Sequence, residues 1–192
     1  ALCKTHGVDD FVYISSQSAK PGNPSVYGRT KLEGEERTKH SGLNYRILRP
    51  NVIYGAGSTG LFAKMTRLIQ KLPVIPIIGP GTEQLRPIYV QDLAQAILQC
   101  LEAPNTATRS YDLGGADVVT FNEFIAHQIE TLQLSRTVMH IPIGLCLFMA
   151  RGMQMVLANP PITVDNIHGL KLLDPSTNEP AQREFGFQPR TL

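Results

Sequence analysis

Short strand-like runs alternate with longer helix-forming segments along this chain, and this alternation restricts the fold more than any other feature. The run Phe11–Ile14 consists of aromatic and β-branched residues, which is typical of a strand buried on both faces of a sheet. The polar segment Tyr27–Ser41 has the pattern of a helix that stops at Gly42, and Leu43–Leu48 favours a second strand. A strand, a crossover helix and a strand form the unit of a parallel sheet. We therefore predict an α/β fold.

The same alternation continues to about residue 137. Thr120 and Glu123 have the spacing of a capping box, which predicts the start of a helix. From Val138 onward the chain is apolar and interrupted by proline, so we expect a smaller, mostly helical lobe over residues 138–192. The other predicted elements are helices over about Leu61–Lys71 and from an Asp92 cap to about Leu101, a short strand at Ile88–Val90, and a strand and turn over Tyr111–Gly115.

Composition excludes several classes of protein. Hydrophobic residues make up 42% of the 192 residues and charged residues 18%, which is typical of a globular protein and too apolar for a disordered one. The net charge is only +2 and there is no long basic run, so the sequence argues against a nucleic-acid-binding protein. The three cysteines are widely spaced, without a Cys-x-x-Cys pair, which favours reduced thiols in a cytoplasmic protein and predicts no metal site.

The chain opens without an initiator methionine or a signal-peptide pattern, so we expect it to be the C-terminal part of a longer protein. Its most apolar stretch is Met139–Leu157, which is interrupted by Pro142, Gly144, Arg151 and Gln154. A membrane-spanning helix needs about 20 mostly apolar residues without a central charge. We therefore predict no transmembrane segment, and we expect this stretch to be buried or to face a partner.

One ordered set of residues has the pattern of an acid–base site. Ser15 and Ser16 end the first strand, and Tyr27 and Lys31 lie four residues apart on one face of the following helix. A nearby ammonium favours the phenolate form that a tyrosine needs to act as a general base. Ligands of parallel sheets bind at the carboxyl ends of the strands, so the Ser16 hydroxyl can bond the same substrate oxygen. The Tyr–Lys spacing alone is a weak signal, because an exposed helix start with a solvated lysine has the same pattern.

Together with Arg49 and Pro50 at the end of the second strand, these motifs stand in an order that resembles a known family. The runs Phe11–Glu36, Tyr45–Gly57 and Leu85–Ile97 are similar to the C-terminal half of an extended or atypical short-chain dehydrogenase/reductase of the epimerase/dehydratase group. Within that group, the chain most resembles the branch that contains the nucleotide-binding accessory subunit of respiratory complex I.

The resemblance implies a fold and a cofactor. Residues 1–137 would form the C-terminal half of a Rossmann-type parallel sheet that binds NAD or NADP, and residues 138–192 a small substrate or partner lobe. The family's glycine-rich phosphate loop is absent, because the glycine-rich segment Gly55–Gly60 follows a late strand and lacks the context of a dinucleotide fingerprint. We expect the pyrophosphate site to lie before Ala1.

The resemblance also implies a role for each site residue. Ser16 would polarise the reacting carbonyl or hydroxyl group, and Tyr27 would transfer the proton. Lys31 would bond the nicotinamide ribose and favour the phenolate. Pro50 and Val52 would lie beside the nicotinamide. The implied cofactor contacts are Ser15, Tyr27, Lys31, Pro50 and Val52.

The predicted substrate site departs from the family pattern. Sugar-nucleotide epimerases place Asn and Arg where this chain has Val52 and Leu85, whereas Asn51 and Arg86 lie one residue out of register. A slip of one residue in a strand turns a side chain to the other face. Asn51 and Arg86 remain the candidate substrate contacts, and the slip weakens the case for a nucleotide-sugar substrate.

Two functions fit these features. The first is an NAD(P)-dependent oxidoreductase or epimerase, in which a hydride passes between the nicotinamide and a carbinol or ketone carbon of a small-molecule substrate. The second is an accessory or assembly subunit that holds the nucleotide without turnover and binds a protein partner through Met139–Leu157. The family resemblance also makes a homodimer an expectation. The set of Ser16, Tyr27 and Lys31 favours the enzyme.

Overall fold

The computed structural model describes residues 2–58, 60–103, 109–146, 175 and 177–192 of the chain. Helices form at α1 (Leu2–Thr5), α2 (Val26–Lys39), α3 (Leu61–Lys71), α4 (Val90–Glu102), α5 (Phe121–Thr131) and α6 (Glu179–Phe185). Strands form at β1 (Asp10–Ile14), β2 (Asn44–Pro50), β3 (Ile53–Tyr54), β4 (Val74–Ile78), β5 (Gln84–Leu85), β6 (Ile88–Tyr89), β7 (Arg109–Leu113), β8 (Val119–Thr120) and β9 (Thr137–Ile141).

Three strands form a parallel sheet in the order β1-β2-β7. Ile14 of β1 lies opposite Leu48 of β2, which in turn lies opposite Tyr111 of β7. Leu48 and Tyr111 are buried, and so are Ala96 and Cys100 of α4, which belong to the same core. Helix α2 makes the crossover from β1 to β2, so the predicted α/β arrangement and its parallel sheet are confirmed.

The carboxyl ends of β1, β2 and β7 meet at one edge of this sheet. Backbone pairing continues past the strands, since Gln17 N donates to the Pro50 carbonyl at 3.3 Å and Asn51 N donates to the Leu113 carbonyl at 2.8 Å. Ser16, which precedes Gln17, therefore lies next to the end of β2. Parallel α/β sheets bind their ligands at this edge.

A second core lies where α3 and α5 pack against the parallel strand pair β4-β9. Ile69 of α3, Ile75 of β4 and Phe124 of α5 are completely buried there. We call this group, together with the neighbouring Ile125 of α5, the α3–α5 core.

Strand β9 overturns one prediction. The sequence predicts helical structure from Val138 onward, whereas Thr137–Ile141 forms a strand that pairs with β4 along Val74–Ile78. The reason is tertiary: the edge of β4 accepts a parallel partner, and nothing in the local sequence shows that edge. Of the apolar stretch Met139–Leu157, residues 139–146 are described and the rest lies outside the described residues. The division of the chain at residue 138 stays a prediction.

The start of α4 also differs from the prediction. The helix begins at Val90 with Tyr89 as its N-cap, so Asp92 lies inside the first turn and does not cap the helix. The Asp92 carboxylate instead accepts hydrogen bonds from Arg190 Nε and Arg190 N, each at 2.9 Å. The Arg190 guanidinium also lies 4.3 Å from the centre of the Tyr89 ring. Asp92 therefore anchors a distant segment of the chain to α4.

Candidate active site at the carboxyl edge of the sheet

Helix α2 places Tyr27 in its first turn. Ser25 is the N-cap, and its hydroxyl oxygen accepts a hydrogen bond from Gly28 N at 2.9 Å. Gly28 allows the preceding loop to pack closely, because a Cβ at this position would collide with the Asn23 side chain and the Ser18 carbonyl. Tyr27 itself is 54% exposed, so it is accessible to a ligand.

Lys31 joins α2 to the end of β1. Its Nζ donates a hydrogen bond to the Ile14 carbonyl at 2.9 Å. The same ammonium lies 5.9 Å from the centre of the Tyr27 ring and 5.4 Å from the centre of the Tyr13 ring, within the range of cation–π attraction. The structure thus brings Tyr27 and Lys31 together at the carboxyl edge. An ammonium carries three N–H groups, so Lys31 can bond acceptors besides the Ile14 carbonyl.

Ser16 follows β1 by two residues and is partly buried. Its Oγ accepts a hydrogen bond from Ser18 N at 3.1 Å. A hydroxyl that accepts through its oxygen still has its hydrogen to donate. Ser16 can therefore donate to a substrate oxygen at the same strand end where Lys31 is bound.

Ser15 has a different role from its neighbour. Its hydroxyl is buried and donates to Glu35 Oε1 at 2.6 Å. Glu35 of α2 is completely buried and also accepts hydrogen bonds from Arg49 Nε at 2.7 Å and Arg49 Nη2 at 2.5 Å. The Ser15 hydroxyl hydrogen is thus bonded to Glu35, and Ser15 N donates to the Leu48 carbonyl at 2.7 Å, so neither donor is free for a cofactor. The cofactor contact of Ser15 stays a prediction.

The pairing of Glu35 with Arg49 was not predicted from the sequence. One signal in the sequence could have pointed to Glu35, which follows Lys31 by four residues and therefore lies on the same helix face.

Gln17 and Asn51 form a buried amide pair at the ends of β1 and β2. Asn51 Nδ2 donates to Gln17 Oε1 at 2.5 Å, while Asn51 Oδ1 accepts from Val52 N at 2.7 Å and from Arg86 N at 3.3 Å. These bonds fix the orientation of both amides and leave the buried Gln17 Nε2 without a hydrogen-bond partner among the described residues. A buried donor is costly unless it is satisfied, so Gln17 Nε2 is a group that a bound ligand can satisfy. Gln17 was not among the residues predicted from the sequence.

The remaining predicted residues lie around this amide pair. Pro50 is buried at the end of β2, and the carbonyl of the partly buried Val52 accepts a hydrogen bond from Ile88 N at 2.9 Å. Arg86 contacts Asn51 through its backbone, and its Nη2 donates to the Ala116 carbonyl at 3.0 Å. The structure therefore places the two predicted substrate contacts together, but Asn51 makes internal hydrogen bonds. Their roles toward a ligand stay predictions.

Charges at the site shift the pKa values of two groups. Hydrogen bonding to Glu35 raises the pKa of the Arg49 guanidinium above its ordinary value, so Arg49 stays charged. Burial, followed by the negative charge of Glu35, raises the pKa of the Tyr13 phenol. Tyr13 therefore faces the Lys31 ammonium as a neutral ring.

A small cavity lies elsewhere, between α3 and α5. It has a volume of about 120 Å³, and none of the predicted site residues lines it. Gln128 is its most buried polar side chain, and Thr66 Oγ1 lies 3.0 Å from both Gln128 Oε1 and the Phe62 carbonyl. The Thr66 hydroxyl has one hydrogen and can donate it to only one of these two oxygens. If the Gln128 amide is turned so that its nitrogen donates to Thr66 Oγ1, the Thr66 hydroxyl can donate to the Phe62 carbonyl, and both contacts are hydrogen bonds.

Within the ranges that the structure describes, no helix is both long enough and apolar enough to cross a bilayer. Those same ranges contain no group of three or more His, Cys, Asp and Glu side chains placed to hold a metal ion.

Residues 7–142 match the profile of the RmlD substrate binding domain, which covers more than half of the chain. The chain belongs to this family. The match agrees with the resemblance to the extended short-chain dehydrogenases, which is thereby confirmed at the level of the family.

Two curated proteins are similar to part of the chain. The chain is 31% identical over 138 residues to NADH dehydrogenase (ubiquinone) 1 alpha subcomplex subunit 9, mitochondrial, of Dictyostelium discoideum, covering 71% of this chain and 38% of that protein. It is also 28% identical over 135 residues to UDP-glucose 4-epimerase of Vibrio cholerae, covering 59% of this chain and 41% of that protein. The chain thus spans less than half the length of these two relatives.

Among solved structures, UDP-glucuronic acid 4-epimerase from Bacillus cereus, in complex with UDP-glucuronic acid and NAD, has the same fold. The TM-score is 0.72 at 20% sequence identity, with 99% of this chain and 59% of that chain covered. This similarity confirms the predicted Rossmann-type architecture of the described residues.

Proposed function

We propose that the protein is an NAD(P)-dependent oxidoreductase or epimerase of the short-chain dehydrogenase type, acting on a carbinol or ketone carbon. The observation that carries the proposal is the position of Lys31, whose ammonium bonds the Ile14 carbonyl and lies 5.9 Å from the centre of the exposed Tyr27 ring. The family match and the NAD in the Bacillus cereus epimerase complex support the choice of cofactor.

The residues at the carboxyl edge suit a nicotinamide nucleotide. Lys31 has N–H groups for the ribose hydroxyls, and Pro50 and Val52 lie at the end of β2, where the ring would rest. Gln17 Nε2 supplies a buried donor that lacks an acceptor among the described residues. When bound, the nicotinamide accepts or donates a hydride.

The side chains of this chain would then move the proton. During oxidation, the Tyr27 phenolate takes the proton of the substrate hydroxyl as the hydride leaves the adjoining carbon, and during reduction the Tyr27 hydroxyl returns it. Lys31 stabilises the phenolate through its positive charge. Ser16 donates a hydrogen bond to the substrate oxygen, which stabilises the charge that develops there.

A second function is an accessory subunit that binds the nucleotide and a protein partner without turnover. The similarity to the NADH dehydrogenase subunit of Dictyostelium discoideum supports it. The described start of the apolar stretch Met139–Leu157 adds further support, since Met139 and Leu145 are 50% and 51% exposed. The enzyme function goes with a cytoplasmic location, and the accessory function with the location of the partner complex.

The first experiment uses the full-length protein. Purified protein is denatured, and any nucleotide released is identified by mass and by its absorbance. Release of NAD(H) or NADP(H) supports a dinucleotide site and names the cofactor. If no nucleotide is released and none binds on titration, both proposed functions are contradicted, because each requires a bound nucleotide.

Substitution of Tyr27 separates the two functions. For the enzyme, Tyr27→Phe lowers turnover by about 10²- to 10⁴-fold while nucleotide binding persists. Tyr45→Phe is the matched control, because Tyr45 is the second residue of β2 and lies toward its amino end. Unchanged turnover in Tyr27→Phe contradicts the proposed chemistry. A wild-type protein that binds nucleotide and copurifies with a partner, but turns over no substrate, favours the accessory subunit.

A further inference from the structure

Glu35 is a buried charge for which the proposed chemistry has no use. It is completely buried, and its carboxylate accepts three hydrogen bonds, one from Ser15 Oγ and two from the Arg49 guanidinium. A carboxylate is seldom fully buried unless it is paired in this way. Replacing a buried ion pair with apolar residues is often neutral or stabilising, so its presence points to a geometric role rather than a net gain in stability.

Glu35 and its two partners, Ser15 and Arg49, belong to three different segments that carry the site. Glu35 lies four residues after Lys31 and eight after Tyr27, so all three side chains project from one face of α2. Ser15 precedes Ser16 at the end of β1, and Arg49 precedes Pro50 at the end of β2. The carboxylate therefore joins the helix that carries the acid–base pair to both strand ends.

The geometry of the contacts makes this junction directional. A bidentate bond between a guanidinium and a carboxylate fixes the plane of both groups, which a single contact does not. Gly34, beside Glu35, lets the Tyr13 side chain pack against α2, because a Cβ at this position would collide with the Tyr13 hydroxyl and ring. The same Tyr13 ring faces the Lys31 ammonium at 5.4 Å.

We propose that Glu35 is the positioning residue of this site: its buried carboxylate, bonded to Ser15 and Arg49, sets the placement of Tyr27 and Lys31 relative to Ser16 and the end of β2. This inference rests on the proposed function for its consequence in catalysis. The placement of Tyr27 by Glu35 can also be measured without any substrate.

The test uses two variants of the full-length protein, each with a matched control. Glu35→Gln keeps the shape of the side chain and removes its charge. Its control is Glu36→Gln, which removes the adjacent carboxylate, an exposed group paired with Lys39 at 2.7 Å. Arg49→Lys keeps the positive charge and removes the bidentate geometry. Its control is Arg37→Lys at an exposed position of α2.

Two readouts are compared across these four variants and the wild type. The first is the dissociation constant for NADH or NADPH, whichever the wild type binds more tightly, measured by fluorescence titration. The second is the NMR resonance of Tyr27 Cζ in protein without nucleotide, which reports the surroundings of the phenol. We expect Glu35→Gln and Arg49→Lys to bind this nucleotide about tenfold more weakly, the equivalent of one lost hydrogen bond from Lys31, and to shift the Tyr27 resonance. Both controls should match the wild type.

The outcomes separate this proposal from the proposed function. If both variants fold and match their controls in both readouts, the positioning role is overturned while the function stands. If the wild type binds neither NADH nor NADPH, the proposed function fails, and the Tyr27 resonance alone decides the positioning role. Where Glu35→Gln does not fold, Arg49→Lys, which leaves no charge unpaired, decides the question.

Discussion

The strand-end region and the α3–α5 core are both buried, but they are built from opposite kinds of side chain. The strand-end region consists of Ser15, Gln17, Glu35, Arg49 and Asn51, which are joined by directed hydrogen bonds. The α3–α5 core consists of Ile69, Ile75, Phe124 and Ile125, all of which are fully buried and apolar. Hydrogen bonds add little net free energy but fix orientation, whereas apolar burial adds free energy without direction. We infer that the first region sets the geometry of the site and the second supplies stability.

The largest expected effect comes from a substitution that disrupts the α3–α5 core. Phe124→Ala removes a completely buried ring and leaves a cavity, so we expect the free energy of unfolding to fall by about 3–5 kcal/mol. Urea denaturation measures this loss. Leu98→Ala is the control, because Leu98 is 59% exposed and its truncation should change stability by about 0.5 kcal/mol or less. A loss of similar size in both variants would refute the assignment of stability to the α3–α5 core.

The next effect tests the apolar core beneath the three-stranded sheet through its pH dependence. Burial raises the pKa of the Cys100 thiol from 9.0 to about 11. Between these values the thiol ionises in the unfolded chain but not in the folded one. The stability that it contributes is therefore fully present below pH 9.0 and is lost as the pH rises through about 11.

We expect wild-type protein to lose up to about 3 kcal/mol more than Cys100→Ala over this pH range, as measured by denaturant unfolding at each pH. Cys3→Ala is the control, because Cys3 is partly exposed. An identical alkaline loss in wild type and in Cys100→Ala would show that this thiol is not responsible.

A smaller effect sharpens the polar side of the comparison. Asn51→Ala leaves Gln17 Oε1, Val52 N and Arg86 N without their Asn51 partner, so we expect a loss of about 1–3 kcal/mol in the free energy of unfolding. Thermal or urea denaturation measures it, with the exposed Asn44→Ala as control. Unchanged stability together with weakened substrate binding would instead make Asn51 the substrate contact that we predict from the sequence.

The smallest expected effect concerns a local, exposed contact. Hydrogen bonding from the Thr120 backbone, and then from its side chain, lowers the pKa of Glu123. A lowered pKa adds stability above the unfolded value, and this is lost as the pH falls through the folded value. Glu123→Gln should therefore be slightly less stable than wild type at neutral pH and equal to it in acid, by thermal unfolding. The control is Glu130→Gln at an exposed position, whose difference in stability from wild type should not disappear in acid in this way. If it does, the capping box is not the cause of the pH dependence.

Patterns that involve neighbours in the sequence were predicted well. The capping box of Thr120 and Glu123 is present with both of its hydrogen bonds. Tyr27 and Lys31 share a helix face, and α2 ends at Lys39, two residues before the predicted end at Ser41. These features depend on spacings of three or four residues, which helical geometry converts directly into contact.

Contacts between distant residues were not predicted. Glu35 meets Ser15 across 20 positions, Gln17 meets Asn51 across 34, and Asp92 meets Arg190 across 98. Residues of strand β9 were predicted to be helical. The strand was missed because its partner, β4, lies about sixty residues earlier in the chain.

The sequence by itself determined the alternation of strands and helices, the parallel sheet that follows from it, and the helical face that carries Tyr27 and Lys31. The tertiary structure alone decided which polar groups are buried against one another at the strand ends. The physical reason is that burial depends on the meeting of separate segments. A glutamate on a polar helix has the same local sequence whether it faces solvent, as Glu36 does, or lies completely buried against Arg49, as Glu35 does.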